Sequence, residues 1–116
     1  MTIRYKNQGI DLTTTGTTSV LTAPSDATVL VKQIQINNGS GSGVNLNVQV
    51  TDTSASSTFR IFNESVSGAA TKNIINYTLV LEGGDILKMT AGTANEIQGI
   101  ISYLSLIHIS EPTRPY

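Results

Sequence analysis

Residues 44–51 read Val-Asn-Leu-Asn-Val-Gln-Val-Thr, with an apolar side chain at every second position and an amide or hydroxyl between. Successive side chains point to opposite faces along a strand but not along a helix, so this segment is a β-strand with one face in a core and one in water. Such a strand needs a hydrogen-bonded neighbour and an apolar layer beneath it. Asp52-Thr53-Ser54-Ala55-Ser56-Ser57 supplies a turn, and Thr58-Phe59-Arg60-Ile61-Phe62 the returning strand of a hairpin.

The rest of the chain repeats this grammar. Residues 28–37 are rich in β-formers, but their apolar positions change from odd (Val29, Val31) to even (Ile34, Ile36) around Lys32, which predicts a bulge there. Asn38-Gly39-Ser40-Gly41-Ser42-Gly43 is a turn or short loop, and residues 63–70 are read as a Gly/Ser loop. Ile75, Tyr77, Leu79 and Leu81 alternate in a further strand, Glu82-Gly83-Gly84-Asp85 turns the chain, and residues 86–90 run back. Residues 91–95 turn once more into a strand over 97–103. Residues 19–22 form a short strand closed by Ala23-Pro24, where proline lacks a ladder donor. About seven or eight strands and no amphipathic helix predict an all-β fold, a single antiparallel β-sandwich or jelly-roll-like domain.

Composition narrows the function. The 116 residues carry a net charge of -1, with only 13% charged and 39% apolar side chains, so hydroxyls and amides cover much of the surface. Nucleic-acid binding is not expected, because too few cations are available to neutralise phosphates. There is no cysteine, hence no disulfide or thiolate chemistry. No apolar run approaches the ~18 residues of a membrane span, and no apolar stretch follows Arg4 and Lys6, so neither membrane insertion nor a signal peptide is expected.

The sequence changes character at Leu104. Residues 104–116 hold the single His, two of the three Pro, and no Gly, Asn or Val. From 104 to 114 they match, residue for residue, one reading frame of a transposon-type sequencing adapter, and this resemblance implies a non-native tail of metagenomic origin. His108, otherwise the one side chain suited to acid-base work near neutral pH, is therefore set aside. The domain organisation that follows is an N-terminal arm or edge segment over 1–16, a β-sandwich domain over 17–103 and an adapter-derived tail over 104–116. The arm is hydroxyl-rich and weakly patterned, and is expected to order against a partner.

Within 17–103, four stretches carry a family resemblance: Val20-Leu21-Thr22-Ala23-Pro24, then residues 28–38, then Leu79-Val80-Leu81-Glu82-Gly83-Gly84-Asp85 with 86–91, and finally Ile100-Ile101-Ser102-Tyr103. Together they resemble the small β-sandwich virion structural proteins of tailed bacteriophages, departing from the usual pattern at Gly84. The resemblance implies a non-enzymatic capsid decoration or tail or neck accessory protein, made in the host bacterial cytoplasm and located in the virion. Its partners would be other virion proteins of the capsid or tail and further copies of itself. No catalytic, cofactor-binding or metal-ligating residue carries over.

The chemistry-bearing residues agree with that expectation. Asp11, Asp26, Asp52, Glu64, Glu82, Asp85 and Glu96 lie mostly in or beside turns, where acids bond to backbone N–H groups. The Glu82-to-Asp85 turn offers two acids where Ca²⁺ wants six to eight oxygens, and reads as turn chemistry. The Gly-Ser loop over 39–43 lacks the Lys-Ser/Thr and the helix of a phosphate-binding loop. Tyr5, Tyr77, Tyr103, Phe59 and Phe62 sit at alternating positions and are expected to fill the core. Exposed together, they would instead form a platform for a glycan, which defines the alternative function: a glycan-binding module contacting a host surface. Low charge leaves little to prevent a sheet edge from pairing with another chain.

Overall fold

A computed structural model describes residues 2–75 and 77–107. Among them are nine strands: β1 (Thr2–Leu12), β2 (Thr18–Thr22), β3 (Ala27–Asn38), β4 (Val44–Asp52), β5 (Ser57–Val66), β6 (Thr71–Asn73), β7 (Leu79–Leu81), β8 (Ile86–Ala91) and β9 (Ile97–Ile107). They form two antiparallel sheets. Sheet I has the order β1-β9-β3, with β6 and β7 both on the far side of β3; sheet II has the order β2-β8-β4-β5. Counting β6 and β7 as one interrupted strand, this is the order of an eight-stranded jelly roll.

The alternation over 44–51 does what its pattern requires. Val44, Leu46, Val48 and Val50 are buried, and the intervening Asn, Gln and Thr face outward. The phase change in β3 is a bulge: its register against β9 shifts between Val31 and Gln33. With Lys32 as the extra residue, Val29, Val31, Ile34 and Ile36 all reach the same interior, each at most 1% exposed. Without the bulge, one of these pairs would point into water, at roughly 1.5–3 kcal/mol per side chain.

The same bulge explains a departure from expectation. Among the described residues of 75–81, strand pairing is confined to Leu79–Leu81. The chain pairs with β3 at residues 71–73 and again at 79–81, and leaves it opposite the bulge, where the ladder is broken. Ile74 N–H donates to the Ile34 carbonyl at 3.0 Å, and Lys32 Nζ to Thr78 Oγ1 at 3.4 Å. The loop read over 63–70 is also shorter than expected, because β5 stays paired with β4 through Val66. A nine-residue β4 offers backbone partners along its whole length, and these outweigh the polar character of Asn63, Glu64 and Ser65.

The N-terminal segment does not wait for a partner. β1 is the edge of sheet I and pairs with β9 from Thr2↔Ile107 to Leu12↔Ile97, with Ile10 and Leu12 in the core. β9 in turn runs past Tyr103, so residues 104–107 lie between β1 and β3. The apolar alternation inverts there. Ile97 and Ile101 face the interior, whereas at residues 104–106 both leucines face outward and Ser105 is buried. His108 and the rest of the tail lie outside the described residues.

Two polar hubs tie the loops. Asn38, fully buried, donates from Nδ2 to the Ser42 and Val66 carbonyls at 2.9 Å each, and its Oδ1 accepts from Ser40 N–H at 2.9 Å. The Gly-Ser loop it organises is packed against residues 67–70: a Cβ on Gly68 would lie 2.6 Å from the Gly41 carbonyl. Asp85, 5% exposed, accepts from Thr53 N–H (3.2 Å), Thr53 Oγ1 (3.3 Å) and Glu82 N–H (3.0 Å), which joins the β7–β8 turn to the β4–β5 turn. Gly84 has φ 89°, a left-handed conformation that accounts for glycine at this position.

Candidate functional site on the outer sheet faces

Three of the acids, Asp52, Glu64 and Asp85, are engaged in structural bonds. Asp85 satisfies its own turn while Glu82 is exposed, so the pair does not converge on an ion. Asp52 Oδ1 accepts from Ser54 Oγ at 2.7 Å and from the Ala55 and Ser54 N–H groups. The hydroxyl bond chiefly, and the backbone donors after it, hold its carboxyl below the ordinary 3.8. Glu64 pairs with Lys72 at 3.1 Å, and Lys72 Nζ also lies 5.4 Å from the Phe62 ring centre. Among the described residues no three His, Cys, Asp or Glu side chains gather as metal ligands, and no helix is long and apolar enough to cross a membrane.

The aromatic residues are where expectation fails. None of the five belongs to the buried core, which is wholly aliphatic apart from Met89; Phe62 and Tyr103 pack partly buried at its margin. Tyr5 and Tyr77 are 86% exposed and Phe59 54%. Facing rows of Val, Ile and Leu already fill the space between two sheets packed ~10 Å apart. Nor do the rings make one platform. Tyr5 is on sheet I, Tyr77 lies between β6 and β7, and Phe59 is on the edge strand of sheet II.

Edge pairing is also better guarded than the low charge suggested. β1 turns Arg4 and Lys6 to the inner side, opposite Ser105 and Tyr103. β2 is short and bulged between Ser19 and Leu21, β5 carries a bulge and an inward Glu64, and the β6–β7 edge is interrupted. Charges that point inward, bulges and short strands each discourage an added strand.

Strand addition is thus discouraged and side-chain surfaces are left for recognition, among which the two outer faces differ. Cross-strand partners share a face, so the register assigns each side chain. On sheet II the outward rows are Thr22–Ile86–Thr51–Thr58, Ser19–Lys88–Gln49–Arg60 and Thr90–Asn47–Asn63. Thr51 and Thr58 hydroxyls bond at 2.9 Å, and Asn45 Nδ2 donates to Asn63 Oδ1 at 3.3 Å. Lys88 and Arg60 flank Gln49, and no carboxylate shares these rows.

On sheet I the rows at one end are apolar: Ile3–Leu106–Thr28, then Tyr5–Leu104–Leu30–Val80. Ile3 is 56% and Val80 52% exposed. The next row is polar, Asn7–Ser102–Gln33, with Lys32 at the bulge. Where the two kinds of row meet lies a groove of about 380 Å³ lined by Tyr5, Lys6, Asn7, Lys32, Ser102, Tyr103 and Leu104. The bulge signalled part of it in sequence; the conjunction of β1 with β3 across β9 had no local signal.

No family model matches the chain, and no curated protein matches it. Solved structures do. A chain of the acid-stable capsid of Helicobacter pylori bacteriophage KHP30 superposes with TM-score 0.57 at 11% identity, over 93% of this chain and 90% of that one. Chains from two structures of infectious bursal disease virus, one of its viral particle and one of the Gx strain, superpose with TM-scores 0.56 and 0.50 at 10% identity, over 91% and 97% of this chain. This chain spans about a third of the length of those two, 31% and 35%. At such identities what is shared is the fold.

Proposed function

We propose that this chain is a non-enzymatic structural protein of a bacteriophage particle, a capsid decoration or a tail or neck accessory protein, working through protein–protein contacts. The observation that carries the reading is the end-to-end match of its jelly roll to a chain of a phage capsid, in which neither protein has a large region left over. Blunted edges support it, since a protein displayed in many copies must not pair strands at random.

The contact with the particle runs through the outer face of sheet II. Its amides, hydroxyls and two cations suit a hydrated, acidic partner surface, and interfaces of this kind need not be more apolar than the rest of the surface. Copies associate along the side where Phe59, Ile61 and Tyr77 are exposed. Residues 104–116 are adapter-derived, in keeping with the inverted pattern of two outward leucines around a buried Ser105.

The test is co-sedimentation with purified phage capsids and, separately, tails, with the chain's mass measured by light scattering. A closed oligomer that pellets with either, and no longer pellets as K88E/R60E, is the expected result. A monomer that stays in the supernatant with both overturns the reading.

A further inference from the structure

We infer that the groove on sheet I is a binding site for a carboxylated pyranose, such as a uronic acid residue of a larger glycan. It lies on the face opposite the one assigned to the particle, so the inference stands apart from that assignment.

Four side chains carry the argument. Tyr5 is on a strand paired along its whole length, and the residue is 86% exposed, so that its backbone is fixed and its aromatic face is presented to water. Such a face stacks against the C–H side of a sugar ring at little entropic cost. Asn7 and Ser102 are cross-strand partners in the adjoining row, offering an amide and a hydroxyl within the groove. An amide gives two donors and an acceptor, a hydroxyl one donor and an acceptor, the complement of a sugar's vicinal hydroxyls.

Lys32 supplies the charge. The bulge in β3 places it on the groove, and among the described residues its ammonium donates only the long bond to Thr78 Oγ1 at 3.4 Å. Lys6 borders the groove along β1 but turns its side chain to the inner side, and among the described residues no carboxylate lines the groove. A neutral sugar would leave the Lys32 ammonium without a counter-charge, whereas a ring carboxylate answers it with a charge-assisted hydrogen bond. Tyr5 and Lys32 stand on strands two spacings apart, about 10 Å, which seats one pyranose between the stacking ring and the cation. The groove's 380 Å³ is at the small end for ligand sites, as one sugar residue requires.

Leu104, which also lines the groove, belongs to the adapter-like stretch; the four side chains above do not. The experiment is an NMR titration of the full chain with methyl β-D-glucuronide, and with methyl β-D-glucoside as a control differing only in the carboxylate. The expected result is a millimolar complex with the glucuronide that shifts the amides of Tyr5, Asn7, Lys32 and Ser102. Y5A weakens it at least about tenfold, K32Q removes the preference over the glucoside, and L104T keeps it. Tyr5 and Lys32 are exposed and Leu104 half-buried, and an unchanged thermal melt confirms folding of each variant. No shift at these amides, equal binding of the two sugars, or full binding by Y5A overturns the assignment.

Discussion

The two outer faces of this sandwich are built on the same aliphatic interior and yet present opposite surfaces. Sheet II shows ordered rows of Thr, Asn and Gln with Lys88 and Arg60 among them; sheet I shows Ile3, Tyr5 and Val80 giving way to Asn7 and Lys32 at a groove. The difference teaches where specificity comes from in a fold like this one. Sheet II is regular, so alternation alone produces a flat surface, uniform in character and suited to a broad contact. Sheet I is interrupted at β3, and the interruption creates the concavity and aims a cation at it.

The comparison breaks most severely if the interior is not shared equally. Leu46→Ala beneath sheet II and Ile34→Ala beneath sheet I each remove a fully buried side chain, and each is expected to cost about 2–5 kcal/mol in denaturant unfolding. A loss below about 1 kcal/mol at either site would mean that one sheet lies loosely on the other.

A smaller effect comes from the latch between turns. Asp85→Ala leaves the Thr53 and Glu82 N–H groups without their acceptor and is expected to cost about 1–3 kcal/mol, read as a lower thermal midpoint. An unchanged midpoint would show that water replaces the carboxylate freely.

Smaller still, outward substitutions sharpen the contrast between the faces. Val80→Thr on sheet I and Thr58→Ala on sheet II are each expected to change stability by about 0.5 kcal/mol or less. V80T should also raise solubility, measured by precipitation in ammonium sulfate; if it precipitates sooner than the parent chain, the apolar rows are not a free surface.

The smallest effect is a pH dependence at Asp52. Its pKa is depressed in the folded chain, so its contribution is present above the unfolded value and is lost as pH falls through the folded one, below 3.8. Acid titration of D52N beside the parent should therefore show the parent's small advantage at neutral pH disappear as pH falls through that range. Because the carboxyl is accessible to solvent, the difference should shrink in salt.

How much of this was legible beforehand differs from segment to segment. The strand over 44–51, its hairpin with β5, the Glu82-to-Asp85 turn and the bulge at Lys32 were all visible, because period-two alternation and turn residues act locally. The split of β6 from β7 was not, since Ile75, Tyr77, Leu79 and Leu81 alternate as a strand should; what prevents pairing is the bulge in another strand, some forty residues away. The placement of the aromatic rings was misread for a related reason. Alternation says that a side chain faces one side, but not which side is covered, and Tyr5 faces the uncovered one.

By itself, then, the sequence determined that the chain is all-β, where its strands turn and which positions alternate, because each of these follows from neighbours along the backbone. Only the tertiary structure decided which strands lie side by side. That pairing brought β1 and β3 to either side of β9, made a groove from residues that neither strand's pattern distinguishes, and left one outer face polar and the other partly apolar. The physical reason is that cross-strand partners, unlike strand periodicity, depend on contacts between residues far apart in the chain.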